Sequence, residues 1–158
     1  MKLFMHLLLI SITCSAALGA AAQDADLLEP EAAFRFSARQ LDAKTIEVRF
    51  AIADGYYMYR DKFRFQVLPT EASLGKVKYS KGKIKNDPLF GKVETYRKSV
   101  KILLRISAPP VDGKLTVTAI SQGCADVGVC YTPMTSQVVL GADGSDNAPK
   151  TMSSLLGK

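Results

Sequence analysis

Apolar side chains fall on every second position through several short stretches of this chain, and that period limits the fold more than any other feature. In Thr45–Ile52 the residues Ile46, Val48, Phe50 and Ile52 alternate with polar or small ones, as one buried face of a β-strand requires. The same alternation recurs in 63–67, 100–106 and 115–119, and more briefly in 34–36, 77–79 and 137–140. Turn-forming clusters separate these stretches: Ala53-Asp54-Gly55, Pro69-Thr70, Lys81-Gly82, Pro109-Pro110 and Asp112-Gly113. Roughly seven to nine strands with one apolar face each predict an all-β chain, an immunoglobulin-like antiparallel β-sandwich, with a small barrel as the main rival.

Before the first strand, Lys2 is followed by an apolar run from Leu3 to Ile12 and by small residues ending in Ala20-Ala21-Ala22. That layout predicts a signal peptide over 1–22 with cleavage before Gln23, because the run is shorter than the ~20 residues a bilayer span needs. Residues 23–142 then form one domain. After Leu140 the composition turns to Gly, Ala, Asp, Ser, Asn and Pro, so 143–158 reads as a linker or tail. Cys14 leaves with the signal unless acylation retains it, and Cys124 and Cys130 remain. Export brings such a pair into an oxidising compartment, where a disulfide is the expected resting state.

The only histidine, His6, lies in the signal, which removes Ser-His-Asp catalysis, Cys-His catalysis and His-ligated zinc from the exported chain. Thiols with Met58 and Met134 leave a copper site without its usual imidazole. Neither a Walker nor a Rossmann glycine pattern is present. The formal net charge is +6, and the lysines between Lys76 and Lys85 read as a solvated strand and turn rather than a nucleic-acid patch. No nucleic acid, metal or bound cofactor is expected.

The segment "ISQGCADVGVCYTPMTSQVV", residues 120–139, connects two predicted strands. A hairpin there brings Cys124 and Cys130 face to face, with Gly123 and Gly128 supplying backbone freedom at the bends. The loop it closes is short, about seven residues, so chain entropy credits the bond with only roughly 2.4 kcal/mol. The sandwich therefore need not depend on it. Two readings stay open on these grounds: a structural hairpin disulfide in a secreted immunoglobulin-like binding module, and a redox pair that opens and closes without unfolding its host.

Three separated segments, "GYYMYRDKFRF" (55–65), "NDPLFGKVETYR" (86–97) and "QGCADVGVCYTP" (122–133), resemble the N-terminal periplasmic domain of the DsbD thiol:disulfide interchange family in content, order and separation. The resemblance implies an immunoglobulin-like sandwich whose cysteine hairpin relays reducing equivalents in the periplasm. The implied donor is the C-terminal thioredoxin-like domain of DsbD. The implied acceptors are periplasmic thioredoxin-fold proteins, namely disulfide isomerases and the cytochrome c maturation thioredoxin. If the chain is part of a longer protein, it is attached to an inner-membrane domain.

By position, Cys130 matches the family cysteine that forms mixed disulfides and Cys124 the one that resolves them. Asp87, Pro88, Leu89, Phe90 and Gly91 fall on the family's cap loop, and Tyr57 and Tyr59 on aromatics beside the cysteines. Asp87 would raise a neighbouring thiol's pKa and pass a proton, although Asp before Pro also simply starts turns. The family commonly has a second acid and then a phenylalanine after this aspartate, where this chain has Pro88 and Leu89. A carboxylate pair is thus not expected to carry the proton.

Overall fold

The computed structural model describes residues 27–88, 90–110, 113–141 and 150–151. The predicted signal peptide 1–22 and Leu89 lie outside them, as does most of the predicted tail. A four-residue helix, α1 (Pro30–Ala33), leads into β1 (Phe34–Asp42), β2 (Thr45–Ile52) and β3 (Tyr56–Tyr59). Then follow β4 (Arg64–Leu68), β5 (Leu74–Tyr79), β6 (Lys83–Asp87), β7 (Gly91–Tyr96) and β8 (Ser99–Ile106). The chain continues through β9 (Leu115–Ser121), β10 (Gly123–Ala125), β11 (Met134–Leu140) and β12 (Lys150–Thr151).

The strands form three antiparallel sheets in the orders β1-β2-β8-β5, β12-β11-β9-β4 and β10-β3-β7-β6. Ile46, Val48 and Phe50 of the first sheet and Leu115, Val117 and Val138 of the second belong to one continuous buried cluster. This is the sandwich that the two-residue period predicts: in β8 and β9 every second residue is fully buried. The all-β, immunoglobulin-like expectation holds, with the cysteine pair on the connection between β9 and β11.

The third sheet is less visible in the sequence, and the described residues hold twelve strands where seven to nine are predicted. In β3 all four residues of Tyr56-Tyr57-Met58-Tyr59 are buried, so no alternation marks it. Strand β10 has only three residues, and β6 is a lysine-rich edge with little apolar content. This sheet encloses a second, small cluster of Tyr57, Tyr59, Val93 and Cys124.

Candidate active site

Cys124 lies in β10, directly opposite Tyr57 of β3. Across the turn it faces Cys130 as an isolated antiparallel bridge, and the two are disulfide-bonded with Sγ–Sγ 2.05 Å and Cα–Cα 3.9 Å. The backbone ties the turn: Ala125 N–H donates to Val129 O at 2.8 Å, and Tyr131 N–H to Gly123 O at 3.0 Å. Gly128 supplies the bend, with φ +92°.

Gly123 plays a different part from the bend expected of it. It sits inside the strand, and a Cβ there would come 2.4 Å from the Phe34 ring and 2.7 Å from Tyr57 O. What it provides is a close approach between β10 and its neighbours.

The two sulfurs are unequal. Cys124 is 0% exposed, whereas Cys130 is exposed on a turn whose Val127 and Val129 are exposed too. Attack by an outside thiolate therefore has access to Cys130 and not to Cys124.

Behind Cys124, Tyr59 Oη lies 3.6 Å from its Sγ and donates a hydrogen bond to Asp87 Oδ2 at 2.9 Å. Tyr57 and Tyr59, two apart on one strand, bring their hydroxyls within 3.3 Å of each other. Burial first, then the Tyr57 hydroxyl and the Asp87 carboxylate, push the Tyr59 phenol well above its usual pKa. Tyr59 is thus a neutral hydroxyl joining a buried sulfur to a buried carboxylate.

Asp87 closes β6 and starts the turn that follows it. Its Oδ1 accepts from Phe90 N–H at 3.3 Å, as a turn-starting aspartate does, and its Oδ2 takes the Tyr59 proton donor and stands 3.5 Å from Lys85 Nζ. The segment expected to act as a cap is the tip of the β6–β7 hairpin, in which Asp87 pairs with Gly91 at φ +69°. Pro88 is exposed at this tip. The Phe90 ring packs edge-on against Tyr59, with centroids 5.3 Å apart, and Lys62 Nζ lies 4.2 Å from the Phe90 centroid.

Four residues of this neighbourhood went unmarked in the sequence. Lys85 Nζ lies 4.0 Å from the Tyr57 ring centroid, and the Tyr57 hydroxyl, then Asp87, raise its ammonium pKa. Arg97 lies 5.0 Å from the same centroid and grips Asp126 of the cysteine turn with two hydrogen bonds. Lys62 is the cation on Phe90. A signal existed for Lys85, which shares a strand face with Asp87 two residues on, and for Asp126, which lies between the cysteines. For Arg97 and Lys62 none did, since long-range register places them.

Residues 24–142 match the family described as "Thiol:disulfide interchange protein DsbD, N-terminal". The chain is 43% identical over 143 residues to the DsbD of Ralstonia nicotianae, covering 90% of this chain and 23% of that protein. It is 34% identical over 144 residues to the Escherichia coli DsbD, covering 89% and 25%. It therefore spans about a quarter of the length of these relatives. Among solved structures, the reduced Neisseria meningitidis DsbD N-terminal domain superposes with TM-score 0.67 at 32% identity, over 80% of this chain and 95% of that one. The same values hold for the complex of the DsbD N-terminal and PilB N-terminal domains from that organism. With its cysteine pair, buried tyrosines and family match in agreement, the chain belongs to the N-terminal domain family of the thiol:disulfide interchange protein DsbD.

Proposed function

We propose that the chain is a periplasmic protein-disulfide reductase domain. It takes reducing equivalents from the C-terminal thioredoxin-like domain of a DsbD protein and passes them to periplasmic thioredoxin-fold proteins, such as disulfide isomerases and the cytochrome c maturation thioredoxin. The observation that supports this reading is the unequal exposure of the bonded cysteines, Cys130 open and Cys124 fully buried. The signal peptide 1–22 exports the domain 23–142, and 143–158 links it onward to a membrane-inserted portion.

Loading begins when a donor thiolate attacks Cys130 Sγ and Cys124 Sγ leaves as thiolate. The donor's second thiol then attacks its own sulfur in the mixed disulfide and frees Cys130, so two electrons and two protons have arrived. Delivery runs the same steps in reverse: the Cys130 thiolate attacks an acceptor disulfide, and Cys124 attacks Cys130 Sγ to release the reduced acceptor. Cys124 is fully buried in the disulfide form. Its proton has Tyr59 Oη, and beyond it Asp87, within reach. Phe90 against Tyr59 serves as the cap that keeps adventitious thiols from this path.

The test is a trap. Cys124→Ala should hold acceptors in a mixed disulfide through Cys130 on non-reducing gels, and Cys130→Ala should hold none. A Cys124→Ala chain that captures no thioredoxin-fold protein ends the relay reading. The double alanine variant should keep a cooperative melt, because the local bond is worth only roughly 2.4 kcal/mol.

A further inference from the structure

The outer face of the β1-β2-β8-β5 sheet carries charge that the cysteine site does not use. Its outward positions pair in rows across the strands: Arg39 beside Glu47, Glu47 beside Leu103, and Leu103 beside Lys78. Arg49 stands beside Lys101 in a second row, and Arg105 beside Thr45 in a third, which Asp42 closes on the β1 side. Arg35 projects from the same side of β1 as Arg39, with the intervening even positions buried.

Six cations thus share one sheet face with two acids, Glu47 within the array and Asp42 at its edge beside Thr45. The whole sequence has 21 Lys and Arg against 15 Asp and Glu, so this face, with six cations against two acids, holds most of the excess. Glu47 is itself withdrawn, its side chain 6% exposed, with Arg39 at 3.0 Å, Lys101 at 3.4 Å and Arg49 at 3.7 Å. These three cations remain about half exposed, at 59%, 51% and 49%. The acid therefore fixes the array and offsets only one of its charges. Neighbouring outward residues are about 5 Å apart across strands and about 7 Å along them, inside the Debye length of about 8 Å at physiological salt. Their potentials add into one positive plane.

The chemistry of the face selects its partner. No aromatic side chain stands among these outward positions to stack a base, and the only large apolar one, Leu103, is half-buried, so the face lacks the apolar anchors that centre a protein interface. A sheet face with guanidinium and ammonium groups on all four strands matches a laterally uniform layer of phosphates. We propose that this face docks the domain on the surface of an anionic phospholipid bilayer. Tyr57, Tyr59, Asp87 and the cysteines lie on β3, β6, β10 and the cysteine turn, so docking through this sheet occupies none of them. The inference rests on the exported, membrane-facing setting proposed above and not on the exchange chemistry.

The test is co-sedimentation of the exported chain with phosphatidylcholine vesicles, with and without phosphatidylglycerol. Binding should require phosphatidylglycerol and fall steeply as NaCl is added. Removing three of the cations in R35Q/K78Q/R105Q should weaken it about a hundredfold, at roughly fivefold per charge. The same number of changes away from the face, K81Q/K83Q/K92Q, should weaken it far less. Disulfide exchange of the free chain, measured alongside, should be unchanged in R35Q/K78Q/R105Q, so a failed relay and a failed docking surface give separate results. Equal binding to pure phosphatidylcholine, equal loss in the two triple variants, or capture of an acidic protein by this face without vesicle binding would each overturn the proposal.

Discussion

Arg97 and Asp126 form a two-point ion pair, with Nη1 2.8 Å and Nη2 2.7 Å from the carboxylate oxygens, and it fastens the cysteine turn to the residue that follows β7. The turn is also held by Asp126 N–H donating to Gly55 O at 2.7 Å. Both side chains are nearly half exposed, so the pair's net contribution to stability is only about 0.5–1 kcal/mol. Its consequence is larger for the dithiol state, in which no covalent bond keeps Cys130 beside Cys124. Arg97→Ala and Asp126→Ala should make the disulfide easier to reduce by about 10–20 mV, the electrochemical equivalent of that energy. Glutathione equilibration would measure it, and the exchange R97D/D126R should recover part of the shift. Unchanged potentials in both alanine variants would show that the pair holds nothing the turn needs.

Phe90 links the proposed cap to the site through one ring, Tyr59, and carries Lys62 on its own face. An edge-to-face pair is worth about 0.5–1.5 kcal/mol and an exposed cation–π contact about 0.5–1 kcal/mol. Phe90→Ala should therefore leave the fold intact while glutathione attacks the disulfide several-fold faster in stopped-flow measurements. Lys62→Gln should give a smaller increase in the same direction. If Phe90→Ala reacts no faster than the unaltered chain, the segment is a hairpin tip and not a guard.

Gly123 and Gly128 stand five residues apart and should respond oppositely to what their shared role as hinges would suggest. At Gly128 an alanine meets no atom within 4 Å and suffers only from φ +92°, a strain of about 1–2 kcal/mol. At Gly123 it would collide with the Phe34 ring and with Tyr57 backbone oxygen, overpacking that costs about 1–3 kcal/mol or more. Urea melts should rank Gly123→Ala below Gly128→Ala. Gly123→Ala should also disturb β10 and thus the bond between the cysteines, seen as a change in reduction potential.

The sandwich was legible in the sequence because each of its strands buries one face, and a period of two survives in the residues themselves. The third sheet was not, because Tyr56–Tyr59 is buried on both sides and β6 carries lysines, so neither strand alternates. The site divides along the same line. The cysteine pair could be placed from its position between two predicted strands, and Tyr57, Tyr59 and Asp87 from the family resemblance alone; the structure brings all five together. Arg97 and Lys62 could not, since their partners Asp126 and Phe90 lie 29 and 28 residues away in sequence, joined only by sheet register. The basic face was invisible for a similar reason: its charges alternate with core residues on four strands and gather only when those strands pair.

Alkaline pH offers a test of the tyrosines that the fold holds neutral. Burial is the first cause in each: it pushes the Tyr96 and Tyr131 phenols up to about 12, from 10.0, and raises Tyr59 and Tyr79 as well. Tyr96 Oη donates to Ser80 O at 3.0 Å, and Tyr131 Oη donates to Leu28 O. Ionisation removes both donors. A folded-state pKa above the unfolded value means that this stability is fully present below pH 10.0 and is lost as the pH rises through about 12. The urea midpoint should therefore fall across that interval, and phenolate absorbance should rise later in the native chain than in the unfolded one. Lysines titrate in the same range, so the assignment depends on a variant: Tyr96→Phe should be somewhat less stable at neutral pH yet lose less between pH 10 and 12. A Tyr96→Phe chain that loses as much over that interval as the unaltered one would place the alkaline transition elsewhere.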